Sequence, residues 1–514
     1  MARSRRLLLP LVFLSGMVSL GVEFGAARLM APYFGTSLYV WGILIGLILV
    51  YLSAGYVIGG RLADRIPREE LLFQLTAAAA LWIGLIPLAS YPILLLSQQG
   101  FATLSAGLVV GTLIAVIALF AVPVILLGCV SPFAIRLLLK GVETGGNTAG
   151  AVYALSTAGS ILGTFLPVFW FIPMYGTRPT LIGFSLALLL LSVAGLWPRR
   201  RIYAVLGLAV IVAWVLLPSG IKPPQTGRLV YEKESAYHYI QVVQDGPRTD
   251  LLLNEGEAIH SIYDSGSLTT GGPWDYFLIA DQFRPAATTE VKPRDVAIIG
   301  LAGGTSARQY SATYGGSVAL TGVEIDPDIR DVAYRYFHLG DSNVNVIIQD
   351  GRYWLATDRG KYDVIVMDAY RQPYIPFHLT TREFFELVKS HLKPGGVAVV
   401  NAGRTPPVPG RASDYRLVAA ISSTMGAVFP SINLVDVPSF SNTLVYGSTE
   451  PVTAADVEHN LALAQEPLVK QVGESALSEG NLRASPYHGQ VYTDDLAPVE
   501  RLIDQIIFGY VTAR

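Results

Sequence analysis

The chain has 514 residues, 52% of them hydrophobic and 15% charged, with a formal net charge of -2. That length is too great for one ordinary core, that apolar excess too high for a purely soluble chain, and that charge gives no bulk electrostatic case for a nucleic-acid partner. The one cysteine, Cys129, excludes an intrachain disulfide framework or a cysteine metal site, and no metal is expected.

From Arg6 to Pro218 the chain is a series of apolar runs long enough to cross a bilayer. Hydropathy predicts seven spans, Leu7 to Ala31, Leu38 to Gly60, Leu71 to Leu96, Phe101 to Leu138, Thr148 to Ile172, Thr180 to Trp197 and Ile202 to Leu217. Arg3, Arg5 and Arg6 precede a run too long for a signal peptide, so the first is an uncleaved helix. The fourth run carries Pro123 and Pro132 and reads either as one kinked helix or as two short spans. Arginine and lysine gather on one side of the seven-span arrangement, at Arg61, Arg65, Arg68, Arg136, Lys140 and Arg199 to Arg201, which predicts a cytoplasmic N-terminus. An odd number of spans then puts the following domain outside, and an even number inside. Glu23 and Arg28 lie within the first run and read as a mutually neutralising pair.

Residues 219–227 are proline-rich and read as a stiff linker after a membrane domain of residues 1–218. Beyond Lys222 charge returns at soluble-protein density. Alternating segments such as Tyr239 to Val243 and Asp250 to Leu253, with Asp245-Gly246 between them, predict a small antiparallel hairpin region over 228–290. Over 291–514, strands at Asp295 to Gly300, Val318 to Val323, Val344 to Ile348, Tyr362 to Met367 and Gly396 to Asn401 alternate with helical stretches. This pattern predicts a Rossmann-like, doubly wound, mainly parallel α/β sheet.

Such sheets bind ligands beyond the carboxyl ends of their strands. Gly300, Glu324, Asp350 and Asp368 each stand at or just after such an end. The turn Gly300-Leu301-Ala302-Gly303-Gly304 followed by Glu324 suits an adenosyl group, with the acid on the ribose hydroxyls. Thr493-Asp494-Asp495 is either a helix cap or a closure over the pocket, and His260 and His378 are further candidate contacts.

From about Leu229 to Tyr446 the chain resembles spermidine synthases and related polyamine aminopropyltransferases, and its fusion to apolar helices resembles their bacterial membrane-bound branch. The resemblance rests on Glu234-Ser235-Ala236-Tyr237-His238-Tyr239-Ile240, Trp274-Asp275-Tyr276-Phe277, Glu324, Asp350-Gly351 and Asp368. It implies an adenosyl cofactor site formed by His238, Gly300, Gly303, Gly304, Glu324, Asp350 and Gly351. It also implies substrate contacts from Tyr237, Trp274, Tyr370 and Arg371, with Asp368 accepting the proton of the attacking amine.

Two positions depart from the family. Gly303 stands where the family has an Asp, and Arg371 where its Asp-x-x-Asp motif ends. An arginine there would repel a polyamine and suit a carboxylate. The resemblance implies transfer of an aminopropyl group from decarboxylated S-adenosylmethionine to a di- or polyamine, releasing methylthioadenosine. Two alternatives stay open: a methyltransferase or lyase using intact S-adenosylmethionine, and a non-catalytic adenosyl or polyamine sensor on a transporter-like membrane unit. The expected partners are a small amine and the lipid bilayer. Self-association is left open.

Overall fold

Hydropathy governs the first half of the molecule and strand alternation the second. The computed structural model describes residues 6–34, 38–100, 107–139, 141–197, 201–217, 221–254, 258–370, 374–406 and 412–511. These divide into two units. One comprises residues 1–223 with Glu232–Tyr239, the other 224–231 with 240–514. The boundary differs from the sequence expectation, because the segment Glu232–Tyr239 belongs with the helices rather than with the hairpin region.

Among the described residues of the first unit, six helices are long and apolar enough to cross a membrane: α1 (Leu8–Phe34), α2 (Val40–Arg65), α3 (Glu69–Ser97), α4 (Val110–Leu138), α5 (Val142–Tyr175) and α6 (Thr177–Leu196). The fourth run is one interrupted helix rather than two spans. Its ladder is carried through Cys129, whose N–H donates to Ile125 and whose carbonyl accepts from Phe133. The seventh run forms the shorter α7 (Ile202–Leu216). At 1.5 Å per residue, α7 is roughly 22 Å long, less than the ~30 Å of a hydrocarbon core.

Polar contacts mark the two ends of this unit. At one end, Arg136 near the close of α4 pairs with Asp64 near the close of α2 at 3.1 Å. At the other, the close of α1 holds the segments that follow α7. Tyr33 donates to the Ile221 carbonyl at 2.7 Å, Lys222 Nζ to the Pro32 carbonyl at 2.9 Å, and Arg28 to the Ser235 carbonyl. Glu234 accepts the Thr177 N–H at 2.8 Å, satisfying a donor at the start of α6. Arg28 thus serves the Glu232–Tyr239 segment rather than only its own helix.

The second unit contains a four-stranded sheet, β1 (Arg228–Glu234), β2 (Tyr239–Asp245), β3 (Arg248–Leu253) and β4 (Ile259–Asp264), in sequential order. β1 ends, and β2 begins, in the segment assigned to the helical unit. The larger sheet has the order β12-β10-β11-β9-β8-β5-β6-β7. Its parallel part is β5 (Asp295–Ile299), β6 (Ala319–Glu324), β7 (Val344–Ile348), β8 (Tyr362–Met367) and β9 (Leu392–Gly403). The antiparallel strands β10 (Ser431–Asp436), β11 (Asn442–Ser448) and β12 (Leu482–Ala484) extend it beyond the sequence expectation. Period-two alternation fills both faces. Val296, Ile298, Val364 and Val366 enter one core, and Ala297, Ile299, Ile365 and Met367 the other.

α1 and α5 approach through glycine. A Cβ at Gly159 would collide with the Phe13 carbonyl and one at Gly163 with the Met17 carbonyl, whereas Gly150 on the same helix has open space. Close backbone approach of this kind supplies the packing that apolar burial cannot supply inside lipid. Gly159→Val should therefore destabilise the helical unit by about 1 to 3 kcal/mol, the usual cost of overpacking, and lower the melting temperature in detergent. Gly150→Val should leave it unchanged; equal melting of the two variants would refute the packing account.

Candidate active site

Four neighbouring parallel strands carry the candidate groups to one edge of the sheet. Gly300 follows β5, Glu324 ends β6, Asp350 lies just beyond β7 and Asp368 follows β8. Backbone bonds tie these ends together, from the Gly300 N–H to Val323 at 2.9 Å, Gln349 to Glu324 at 2.9 Å and Asp368 to Ile299 at 2.8 Å. β5 has β6 on one side and β8 on the other, so the crossover direction reverses there. A crevice forms at such a switch point.

The small residues of the turn are required by space. Gly300 has φ +88°, and a Cβ there would lie 2.5 Å from the Asp368 carbonyl oxygen. Gly304 has φ +84° and precedes the helix Thr305–Tyr314. Gly303 donates its N–H to Ser261 Oγ at 2.8 Å, and a Cβ on it would meet Ser261 at 2.7 Å and Phe337 at 3.0 Å. Ser261 and Phe337 thus take the space that an aspartate side chain would need, which accounts for the departure at this position.

Glu324 is buried, with one oxygen accepting the Ala302 N–H at 2.9 Å and the other the Asp326 N–H at 3.1 Å. Its carboxylate is therefore oriented by the turn it serves. Asp350 caps the helix Gly351–Thr357 by accepting the Tyr353 N–H at 2.9 Å, and its second oxygen lies 3.1 Å from His378 Nε2. The hydrogen bond with His378 holds the Asp350 carboxyl below its ordinary range. Gly351 packs against Ile299, leaving no room for a side chain. Asp494 neither caps a helix nor stands apart. It grips Arg352 through both oxygens at 2.7 and 2.6 Å and accepts the Thr381 hydroxyl at 2.7 Å.

Asp368 lies in a cleft of about 490 Å³, lined also by Trp274, Tyr370, His260, Asn401 and Arg404. Burial pushes its carboxyl up to about 7, against opposing hydrogen bonds from Asn401 and Trp274. Asn442 Nδ2 donates to Asn401 Oδ1 at 2.9 Å, which turns Asn401 Nδ2 toward Asp368 Oδ1, also at 2.9 Å. This relay fixes the carboxylate in one plane. Trp274 packs edge-on to Phe440, and the Tyr370 hydroxyl bridges the Asn401 carbonyl and the Gly403 N–H.

Tyr237 and His238 fall in the helical unit, on a tight turn in which Ser235 Oγ accepts both their N–H groups. Arg371 lies outside the described residues. Sequence reasoning missed Asn401 and Arg404. The only signal was position, since both stand at or just past the carboxyl end of the strand paired with β8.

Among solved structures the chain is similar to a "probable spermidine synthase" from Corynebacterium glutamicum, with 20% identity, 52% of this chain and 98% of that one covered, and a TM-score of 0.36. Residues 284–449 match the spermine/spermidine synthase domain. The chain is 31% identical over 207 residues to a polyamine aminopropyltransferase of Vibrio vulnificus, covering 38% of this chain and 67% of that protein. It is 34% identical over 323 residues to a "probable polyamine aminopropyl transferase" of Bifidobacterium longum, covering 58% of this chain and 70% of the relative. A relative 34% identical and covered over 70% of its length, with the family domain matched over residues 284–449, shows that the chain belongs to the polyamine aminopropyltransferase family of transferases.

Proposed function

We propose that the protein is an integral-membrane aminopropyltransferase that uses decarboxylated S-adenosylmethionine and an amine of the polyamine class, releasing methylthioadenosine. The observation that carries this reading is Asp368, a carboxylate oriented by Asn401 in a cleft at the ligand-binding edge of the sheet. A primary amine is protonated at neutral pH and cannot attack carbon until it loses that proton. A carboxyl poised near 7 holds the ammonium and then accepts its proton. The freed lone pair forms the nitrogen–carbon bond as the carbon–sulfur bond breaks, and the sulfonium leaves as a neutral thioether. The protein's work is alignment and proton acceptance.

In this reading Glu324 holds the ribose hydroxyls and Asp350-Gly351 flank the adenine. Gly300, Gly303 and Gly304 give the turn the close packing that sets its backbone beside the donor. Trp274 and Tyr370 serve the cationic substrates through cation–π attraction, whereas Arg371 would repel a polyamine and suit a carboxylate.

The helical unit supports a multi-pass membrane protein with a cytoplasmic N-terminus, because Arg61, Arg65 and Arg136 gather at the end marked by the Arg136–Asp64 pair. In this reading the short α7 returns the chain across as a seventh span, so the opposite end, where Arg28 and Thr177 hold Ser235 and Glu234, faces away from the cytoplasm. A cysteine placed at Tyr237, which is 41% exposed, should be labelled by a membrane-impermeant maleimide in intact cells. Labelling only after permeabilisation would reverse this orientation.

Two substitutions separate binding from chemistry. Asp368→Asn keeps the volume but cannot accept a proton, so turnover should fall about 10² to 10⁴-fold with donor binding nearly unchanged. In the wild type, kcat/KM should rise with pH through about 7 as Asp368 loses its proton, and the variant should lack that limb. Glu324→Gln should instead weaken methylthioadenosine binding about ten- to a hundredfold by calorimetry, through loss of charge-assisted bonds. An Asp368→Asn enzyme within a few-fold of wild type, or unchanged affinity in Glu324→Gln, would remove that residue from its role.

A further inference from the structure

We infer that the Asp368 cleft contains a carboxylate-binding subsite centred on Arg404, which extends the transferase reading above, on which it rests, to a substrate that carries a carboxylate. Arg404 follows β9, and its side chain is only 9% exposed while lining the cleft. Its terminal nitrogens donate to Ser413 Oγ at 3.2 Å, the Val437 carbonyl at 3.2 Å and the Phe440 carbonyl at 3.4 Å. Those acceptors fix the guanidinium in place without neutralising it. Its Nε has no hydrogen-bond partner, and Asp436 Oδ1 lies 3.9 Å away.

Asp436 is already engaged. Arg483 spans both its oxygens at 2.8 and 3.2 Å, Tyr415 donates to one at 2.9 Å and Thr443 to the other at 2.6 Å. One carboxylate shared by two guanidiniums leaves one positive charge, and the member that lines the cleft is Arg404. Arginine cannot relieve this by losing a proton.

Among the described lining residues, Asp368 is the sole carboxylate and Arg404 the sole guanidinium or ammonium. The glycine turn adds no acid, since Gly303 is packed against Ser261 and Phe337. A dication entering this cleft meets one attractive and one repulsive charge. A zwitterion can set its amine on Asp368 and its carboxylate on Arg404, where a guanidinium in a partly desolvated wall binds more strongly than in water.

The carboxylate has two sources, an amino-acid acceptor or the intact sulfonium donor. In either case the amine nitrogen bonds to the carbon next to sulfur, the carbon–sulfur bond breaks, methylthioadenosine leaves and the proton passes to Asp368. The transferred group is aminopropyl from the decarboxylated donor and aminocarboxypropyl from the intact one.

The test uses the full-length protein in detergent, as wild type, Arg404→Gln and Arg404→Lys. Each is assayed for methylthioadenosine with 1,4-diaminobutane against 4-aminobutanoate, and with the decarboxylated against the intact donor. The subsite predicts that Arg404→Gln lowers the efficiency ratio for the carboxylate-bearing member about ten- to a hundredfold in at least one arm, with Arg404→Lys close to wild type. The acceptor arm moving identifies an amino-acid acceptor, and the donor arm the intact donor. Ratios unchanged in both arms overturn the inference. Calorimetry on the wild type alone, comparing 4-aminobutanoate with butylamine, decides the subsite even where a variant fails to fold: tighter binding of the carboxylate supports it, and equal binding overturns it. If no pair yields methylthioadenosine, the transferase reading fails, while that calorimetric preference still decides the subsite.

Discussion

The backbone contact between Gly300 and Asp368 is the constraint from which the rest of the site follows. The space a side chain would need at Gly300 is filled by the Asp368 carbonyl, 2.5 Å from where its Cβ would stand. The turn that suits an adenosyl group and the acid that suits an amine are thus in van der Waals contact through their main chains. Neither can move without the other. The parallel pairing of β5 with β8 sets this contact, and the pairing of β5 with β6 brings Glu324 to the same edge. Transfer between two bound substrates needs the reacting atoms near 3 Å apart, and a site built on strand ends holds such a distance better than one built on loops.

The environment of Asp368 follows from its neighbours. Apolar surroundings penalise the charged form and raise the carboxyl toward 7, while Asn401, held by Asn442, stabilises the ionised state. A fully solvated carboxylate would be too weak a base for an ammonium, and a wholly unsupported one would stay protonated at neutral pH. Belonging to a transferase family leaves the non-catalytic sensor without support, and this balance is what the proton-accepting role proposed for Asp368 requires.

Much of the parallel sheet was legible because each strand is a short apolar run that ends in glycine or an acid. Ile298-Ile299-Gly300 and Val366-Met367-Asp368 announce both the strand and its carboxyl end. The antiparallel strands were not legible. Ile432 to Val435 and Leu444 to Tyr446 end in Asp436 and Gly447 just as the parallel strands end in an acid or glycine, so the run itself does not distinguish them, and their antiparallel pairing depends on contacts remote in sequence. The polar support of Asp368 was hidden for the same reason, since Asn401 and Asn442 meet only after β9 and β11 pair. Asp494 shows the limit of local reading: its partner Arg352 lies 142 residues away, so no cap signal could have revealed the pair. The placement of Tyr237 and His238 with the helices follows from Arg28 and Thr177, whose partners no hydropathy profile identifies.

The account turns on which sulfur–carbon bond is broken in this cleft. The direct measurement supplies purified protein with both sulfonium donors and an amine, and identifies every adenosyl and amine product by mass spectrometry. Methylthioadenosine formed in equal amount with an amine lengthened by an aminopropyl or aminocarboxypropyl group is the predicted result. Adenosylhomocysteine appearing with a methylated amine, and no methylthioadenosine, would contradict it.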